Sequence, residues 1–89
     1  MNIVFTRHVL EKKIPLIRSL GWNVTKATVR RTINNPKWKG TTKYDQPTAM
    51  ILVDEEHILR VIFEKKDDII RVITVHIARR GMYESITED

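Results

Sequence analysis

Arg60 and Arg71 lie on stretches of sequence that otherwise alternate like half-buried strands. Strand positions favour β-branched and aromatic side chains, so a guanidinium group there needs an explanation. One explanation is a phosphate-binding cleft, because arginine is permanently charged and its planar fork matches phosphate oxygens. The alternative is that both arginines pair with carboxylates such as Glu64 or Glu84, or lie at a wet sheet surface.

Side chains that can carry a proton follow these arginines in the sequence. They are His76 and, in the segment 79–84, Tyr83 and Glu84. RNA cleavage without a metal needs a base for the 2′-hydroxyl, cations for the charged transition state and an acid for the leaving 5′-oxygen. The residues that we predict to be catalytic on this basis are Arg60, Arg71, His76, Arg79, Tyr83 and Glu84.

Histidine spacing bears on metal binding. If a four-residue turn at 65–68 pairs residue 64 with 69, His57 and His76 lie opposite each other, and two neutral imidazoles could bind a metal. The chain has no H-x-H or H-x-x-x-H pattern and no acidic residue at a matching spacing. We therefore predict neither a metal nor another cofactor.

The same register places Arg60 and Arg71 diagonally adjacent on one face.

Basic residues are concentrated in the first half of the chain. Residues 1–45 hold ten Lys and Arg against two Asp and Glu, whereas residues 46–89 hold six against nine. A basic half on a small domain favours a polyanionic partner such as RNA, although a solvated helix surface would have the same composition. The predicted nucleic-acid-binding residues are Lys12, Lys13, Arg30, Arg31, Lys37, Trp38, Lys39, Lys43 and Arg80.

Segment 36–47 is predicted to be a loop or irregular arm. Its aromatics Trp38 and Tyr44 could stack on bases, or they could equally well cover an edge of the core.

The first part of the chain predicts a strand over 2–5 followed by two helices. Thr6 is a predicted N-cap, followed by an apolar stripe of Leu10, Ile14, Ile17 and Leu20. Pro15 interrupts this helix, so we expect a kink or two short helices with Pro15 in the first turn of the second. Gly21 is a predicted left-handed helix end.

The second helix has clearer boundaries. Thr25 is a predicted N-cap between the staple residues Val24 and Val29, and the helix should stop near 34–36 because Pro36 follows. After it, apolar and polar residues alternate with a period of two, which predicts strands over 48–53, 57–64 and 69–77. The connections between them are short, so neighbouring strands should be antiparallel. Leu59, Val61, Phe63, Ile70 and Val72 are expected to face the helices.

The predicted fold is therefore a two-layer α+β domain of order β-α-α-β-β-β, with helices on one face of an antiparallel sheet. Its 89 residues allow a single domain, 1–89, with 85–89 as a flexible tail. The chain has no cysteine, no apolar run of membrane-spanning length and no signal-peptide pattern at its N-terminus. We therefore expect no disulfide, no membrane association and a cytoplasmic location.

Short motifs in a fixed order carry a resemblance to a known group. The segment 5–12, FTRHVLEK, resembles the opening F-[ST]-x-H-[AV]-x-E-[KR] of a group of small prokaryotic domains. Val24-Thr25, Asn35-Pro36 and the hairpin 59–75 follow in the same order as in that group. Its layout is similar to the RelE/ParE and BrnT toxins of type II toxin–antitoxin systems, and 79–84 resembles the basic, Tyr-Glu-ended tail of the BrnT type. Pro15 and the long segment 14–22 depart from the pattern.

This resemblance implies an mRNA endonuclease, ribosome-dependent or free, that an antitoxin protein neutralises. The residues that match by position are Arg60, Arg71, Arg79, Arg80 and Tyr83, while His8 matches the opening histidine, whose role is unassigned. Two alternatives stay open. One is a non-catalytic module that binds nucleic acid or protein. The other is a homodimer that covers an apolar sheet face of Ile58, Ile62, Ile69, Ile73 and Val75.

Overall fold

The computed structural model describes residues 2–84, and the predicted tail 85–89 lies outside them. Five strands form one mixed sheet in the order β1-β5-β4-β3-β2. The elements are β1 (Asn2–Phe5), a π-helical turn (Val9–Lys13), α1 (Ile14–Ser19), α2 (Lys26–Asn34), β2 (Trp38–Thr41), β3 (Pro47–Leu52), β4 (His57–Lys66) and β5 (Ile69–Arg79). The α+β class is confirmed. The wholly antiparallel sheet is wrong, because β1 pairs with β5 in parallel.

The first helix begins and bends as its sequence demands. The Thr6 hydroxyl accepts a hydrogen bond from the Val9 amide at 3.3 Å. In the π-helical turn the Ile14 amide donates to the carbonyl of Val9, five residues earlier, and Pro15 then occupies the first turn of α1. The second alternative for Pro15 is therefore the observed one, with a wider turn in front of it.

This wider turn changes which side chains are buried. Val9, Ile14 and Ile17 enter the core, whereas Leu10 and Leu20 are 39% and 69% exposed. The predicted stripe is therefore wrong at both ends. The π-helical turn adds a residue to the helical repeat and moves the buried face from Leu10 to Val9, and Leu20 lies just past the end of α1 at Ser19.

The second helix matches its predicted boundaries. The Thr25 hydroxyl accepts from the Thr28 amide, and the Thr28 hydroxyl accepts from the Thr25 amide at 3.0 Å, so both residues cap the helix. Val24 and Val29 are buried together in the core. Gly21 has a φ of 99°, the left-handed conformation predicted for the end of α1.

The predicted arm over 36–47 is instead an edge strand. Residues 38–41 form β2, which pairs antiparallel with β3. A turn follows at 42–46, where Asp45 has a φ of 62° and the Thr42 hydroxyl accepts from the amides of Tyr44 and Gln46. Two strands joined by a polar turn replace the loop because Trp38 packs against Met50 on the neighbouring strand.

The β4–β5 hairpin differs from the predicted register in two ways. Its turn is only Asp67-Asp68, with Asp67 at a φ of 56°, so Lys66 rather than Glu64 pairs with Ile69. A β-bulge then adds one residue on β5, so that Phe63 pairs with Val72 but Ile62 pairs with Thr74. Arg60 consequently pairs with His76, and His57 pairs with Arg79. The predicted His57–His76 and Arg60–Arg71 neighbours are therefore wrong.

The bulge at Ile73 also reverses the faces of the second half of β5. Val75 and Ile77 join Leu59, Val61, Phe63 and Val72 in the core beneath the helices. Trp38, Met50, Ile58 and Ala78 form a second cluster on the other face, against which Leu52 and Tyr83 pack. We call this second side the open face.

The apolar surface expected to drive dimerisation is largely absent. Ile58 and Val75 are fully buried and Ile62 is 9% exposed, while Ile69 at 46% is the exposed large residue of that set. The bulge buries Val75 under the helices, and the segment that carries Tyr83 packs on the cluster containing Ile58.

Candidate active site

Arg60 lies at the centre of the open face and is 9% exposed. Its strand neighbours are Met50 on β3 and His76 on β5. Within residues 2–84 it has no ion pair with a carboxylate, and its Nε atom is buried with no hydrogen-bond partner. A buried cation without a counter-charge is costly, and a bound anion would supply that charge. The arginine therefore indicates an anion site.

His76 is brought to this arginine by the β-bulge. The guanidinium Nη1 lies 3.2 Å from His76 Nε2, and because a guanidinium can only donate, Nε2 is the acceptor. Burial lowers the pKa of His76, and the nearby charges of Arg60 and Lys13 lower it further, while a backbone hydrogen bond with Ile77 acts in the opposite direction. The imidazole is therefore neutral at pH 7 and can accept a proton.

Tyr83 covers both groups from the C-terminal segment. Its ring centroid lies 3.9 Å from Arg60 Cζ, a cation–π contact, and 5.6 Å from the His76 ring, edge to face. A turn brings it there: Gly81 has a φ of 97° and its amide donates to Glu84 Oε2 at 2.7 Å. Phenol, imidazole and guanidinium groups thus meet at one place.

The first helix contributes a second cation at the edge of this group. Lys13 ends the π-helical turn and is half-buried, and its charge reaches His76. His8 at the start of the same helix lies with Nε2 3.4 Å from the Thr74 hydroxyl, one open-face position along β5 from His76. The charges that act on His76 are thus both positive, which favours a bound anion.

This arrangement can stabilise and protonate a phosphate ester. Arg60 and Lys13 would hold the non-bridging oxygens, neutral His76 would accept a proton, and the Tyr83 hydroxyl would donate one. We call Arg60, His76, Tyr83 and Lys13 the open-face site.

The remaining residues predicted to be catalytic lie elsewhere. Arg71 lies on β5 and on the open face, opposite Glu64, which is four positions along β4 from Arg60. It forms a 2.7 Å ion pair with Glu64, as the alternative explanation predicted. Arg79 is exposed at the end of β5. Glu84 is buried, and its Oε2 accepts from the Gly81 amide and lies 3.9 Å from Arg80 Nε, so this oxygen holds the turn.

The predicted nucleic-acid-binding residues do not form one surface. Trp38 is buried at 7% exposure and cannot offer its ring to bases, whereas Tyr44 at the tip of the β2–β3 turn is 73% exposed. Arg30 lies 5.2 Å over the Phe5 ring on the helical side. Five further exposed cations are spread over both helices and the β2–β3 hairpin: Lys12, Arg31, Lys37, Lys39 and Lys43. Only Lys13 reaches the open-face site.

A histidine–aspartate pair was missed by sequence reasoning. His57 Nδ1 lies 3.0 Å from Asp54 Oδ1, and its ring is 4.9 Å from that of Trp22. The Glu56 amide donates to Asp54 and is the main cause of a lowered pKa at that carboxyl. The spacing Asp54-x-x-His57 across a tight turn was the signal available in the sequence.

Residues 2–84 contain no group of three or more histidine, aspartate and glutamate side chains that could hold a metal ion. None of the helices in that range is both long and apolar enough to cross a membrane. Comparisons of the chain with protein-family models, with curated proteins and with solved structures gave no match.

Proposed function

We propose that this protein cleaves RNA without a metal ion, as the toxin of a cytoplasmic type II toxin–antitoxin pair. The observation that carries the proposal is the buried Arg60, which has no carboxylate partner among residues 2–84 and contacts a neutral histidine and a tyrosine. The resemblance of the motif order to a group of small prokaryotic domains, whose layout is similar to that of RelE/ParE and BrnT toxins, supports the same activity.

The reaction begins with an exchange of hydrogen bonds at Arg60. When a phosphate enters, the guanidinium turns from His76 Nε2 to a non-bridging oxygen, and this frees the Nε2 lone pair. His76 then takes the proton of the 2′-hydroxyl, and the resulting oxyanion attacks phosphorus. Arg60 and Lys13 stabilise the added negative charge.

The second half of the step releases the leaving group. As the bond from phosphorus to the 5′-oxygen breaks, the Tyr83 hydroxyl, with its ring moved aside to admit the phosphate, protonates that oxygen, and the positive charge of Arg60 stabilises the phenolate. The products are a 2′,3′-cyclic phosphate and a 5′-hydroxyl, so atoms and charges balance without water. A substrate lacking the 2′-hydroxyl cannot react.

One observation favours a second function, binding without catalysis. Arg60 is 9% exposed beneath the Tyr83 ring, so a phosphate reaches it only if Tyr83 moves aside. If the ring stays in place, the open-face site is a polar core, and the surface lysines and arginines hold RNA or an acidic protein by charge alone.

Induced expression in a bacterial host separates the two functions. The wild type should arrest growth and shorten cellular mRNA, and Arg60→Met should relieve both effects, since loss of one charge-stabilising donor costs about 10²–10³ in rate. Arg71→Met is the matched control, because it removes an arginine from the same face that is already paired with Glu64.

Two results would contradict the nuclease. One is harmless wild-type expression with intact mRNA although the protein accumulates in folded form. The other is equal growth arrest by the wild type and the Arg60→Met variant. Salt-sensitive RNA binding without any product would instead support the binding module.

A further inference from the structure

A groove lies on the helical side of the sheet, beside the C-terminal end of α2. This helix packs on β3 and β4 and spans about 13 Å, whereas the ten residues of β4 span roughly 33 Å. The part of the sheet that α2 leaves uncovered forms a cavity of about 440 Å³ next to Ile33 and Asn34. Its floor is apolar and comes from three neighbouring strands: Pro47 and Ala49 on β3, Phe63 on β4 and Ile70 on β5.

Two lysines lie at opposite ends of this floor. Lys39 on β2 pairs with Ala49, which pairs with Val61 on β4, and Lys65 lies four residues farther along β4. Two strand spacings and four residues of rise place the two lysine Cα atoms about 16 Å apart. Both lysines are exposed, and neither has an ion pair with another residue of the range 2–84.

The surroundings of the groove add positive charge alone. Residues 12–44, which include α1, α2 and β2, contain nine Lys and Arg and no Asp or Glu. Among the described residues that line the groove, Lys39 and Lys65 are the ionisable ones. A complementary ligand therefore has a carboxylate near each lysine and apolar groups between them.

An α-helix matches the dimensions of this groove. A helix is about 10 Å wide, which is two strand spacings, so a helix that lies over β3 and β4 covers Phe63 and reaches Ile70 on β5 with one side chain. Residues i, i+4, i+7 and i+11 lie on the same face of a helix, and the first and last of them are about 16 Å apart along its axis. Acidic residues at i and i+11 can therefore reach Lys39 and Lys65 while apolar residues at i+4 and i+7 lie on the floor.

We propose that this groove binds an amphipathic helix of a partner protein, with acidic residues at i and i+11 and apolar residues at i+4 and i+7 on its buried face. The bound helix extends the helical layer past Asn34, packs its apolar side chains on Phe63, and pairs its carboxylates with Lys39 and Lys65. This proposal does not depend on RNA cleavage, because the open-face site lies on the other side of the sheet.

Synthetic peptides test where the carboxylates must lie. The first is a blocked, alanine-based peptide of eighteen residues with glutamate at i and i+11 and leucine at i+3, i+4, i+7 and i+8, labelled for fluorescence anisotropy with the full chain. It should bind at least tenfold more tightly than a peptide of the same composition with its glutamates at i+2 and i+9, on the opposite face. A third peptide with serine in place of leucine should also bind at least tenfold less tightly.

Charge reversal tests the two lysines. Lys39→Glu/Lys65→Glu should weaken binding of the first peptide by at least tenfold. The same variant should bind a peptide with lysine in place of both glutamates at least tenfold more tightly than the wild type does, which also shows that the variant is folded. Lys12→Glu/Lys26→Glu changes the net charge equally, away from the groove, and should bind the first peptide as the wild type does.

Three results would overturn the proposal. The first is an absence of binding by the first peptide, and the second is equal affinity for the peptides with glutamate on either face. The third is a dimer in sedimentation that Lys39→Glu/Lys65→Glu abolishes, since a second copy of the chain would then occupy the groove.

Discussion

Arg60 is the residue that sets this molecule apart from an ordinary two-layer domain. Burying a cation costs free energy unless an opposite charge compensates, and here a tyrosine face and one imidazole nitrogen are what the described residues supply. A residue kept for stability would be paired, as Arg71 is with Glu64. We therefore expect Arg60 to contribute to function and not to the free energy of unfolding, and both contributions can be measured.

Arg60→Met should not destabilise the protein. Methionine fills a similar volume without a charge, so the free energy of unfolding should stay level or rise by up to about 2 kcal/mol, as replacing buried ionic groups by apolar ones often does. Urea denaturation followed by circular dichroism measures the change. A loss above about 1 kcal/mol would mean that Arg60 is structural. Arg71→Met, which breaks an exposed pair, should change stability by less than about 1 kcal/mol.

The lowered pKa of His76 predicts a pH-dependent stability. The unfolded chain binds a proton near the ordinary pKa of 6.5, but the folded protein, whose pKa is lower, does not. Below pH 6.5 the unfolded state therefore holds more protons, and stability falls as the pH falls. Thermal unfolding at pH 7.5 and pH 5.5 should show this decrease, and it should be smaller in His76→Gln.

His8→Gln is the matched control for that comparison, since His8 is an exposed histidine. It should keep the wild-type decrease between pH 7.5 and pH 5.5. Parallel curves for the wild type and His76→Gln would show that another group causes the pH dependence.

Two irregular elements place the open-face site. The bulge at Ile73 turns His76 onto the face of Arg60, and the π-helical turn ends at Lys13, whose charge reaches His76. Both features occur often beside functional sites, because they re-aim side chains at some cost in regularity. The regular elements provide the stability that offsets this cost.

The Thr25 cap is one such stabilising feature. Thr25→Ala removes the hydroxyl that accepts from the Thr28 amide and should cost about 1 kcal/mol, or roughly 4–8 °C in Tm for a domain of this size. Thr25→Ser keeps the acceptor and should lie close to the wild type in the same calorimetric scan. If the alanine and serine variants melted together, the cap would not contribute.

Most regular elements were predictable from sequence, whereas the strand β2 and the irregular elements were not. The caps at Thr6 and Thr25, the stop before Pro36 and the left-handed Gly21 depend on local chemistry, and the structure has them all. The residue that bulges could not be identified, because alternation within 69–77 reads equally well on either side of Ile73. That single residue moved Val75 into the core and His76 out of it.

The error in the predicted β5 register also affects which site residues were predicted correctly. Arg60, His76 and Tyr83 were named from their chemical types, and they do meet. Arg71 was added because the predicted register placed it beside Arg60, and Trp38 because it lies among lysines. Trp38 is buried against Met50 because it lies on β2. That strand was not predicted, because its sequence is a polar stretch rich in Gly and Lys.

At the scale of the whole molecule, positive charge is spread and does not form one surface. The formal net charge is +5, and exposed cations lie on both helices and on the β2–β3 hairpin. Such a distribution favours general attraction of RNA over binding at one surface, whereas we propose that close phosphate contact depends on Lys13 and Arg60 on the open face. General attraction and local contact can therefore be distinguished by their salt dependence.

Single-stranded RNA should bind less tightly as salt rises, with a slope of about −0.7 in log affinity against log salt for each phosphate neutralised. Lys13→Gln should reduce the slope by about one such step. Lys65→Gln, on the helical side at the hairpin end, should leave it unchanged. Fluorescence anisotropy of a labelled oligonucleotide provides both slopes, and equal slopes for the two variants would place the contact elsewhere.

The most direct measurement is the chemistry of the RNA ends. A single-stranded RNA is incubated with the purified protein in excess EDTA, and the products are analysed by mass spectrometry. We predict 2′,3′-cyclic phosphate and 5′-hydroxyl ends, a rate at least about 10² lower for His76→Gln, and no cleavage of the same sequence made with 2′-deoxy sugars. Intact RNA after incubation with the folded wild type, or products that carry a 5′-phosphate, would contradict the account.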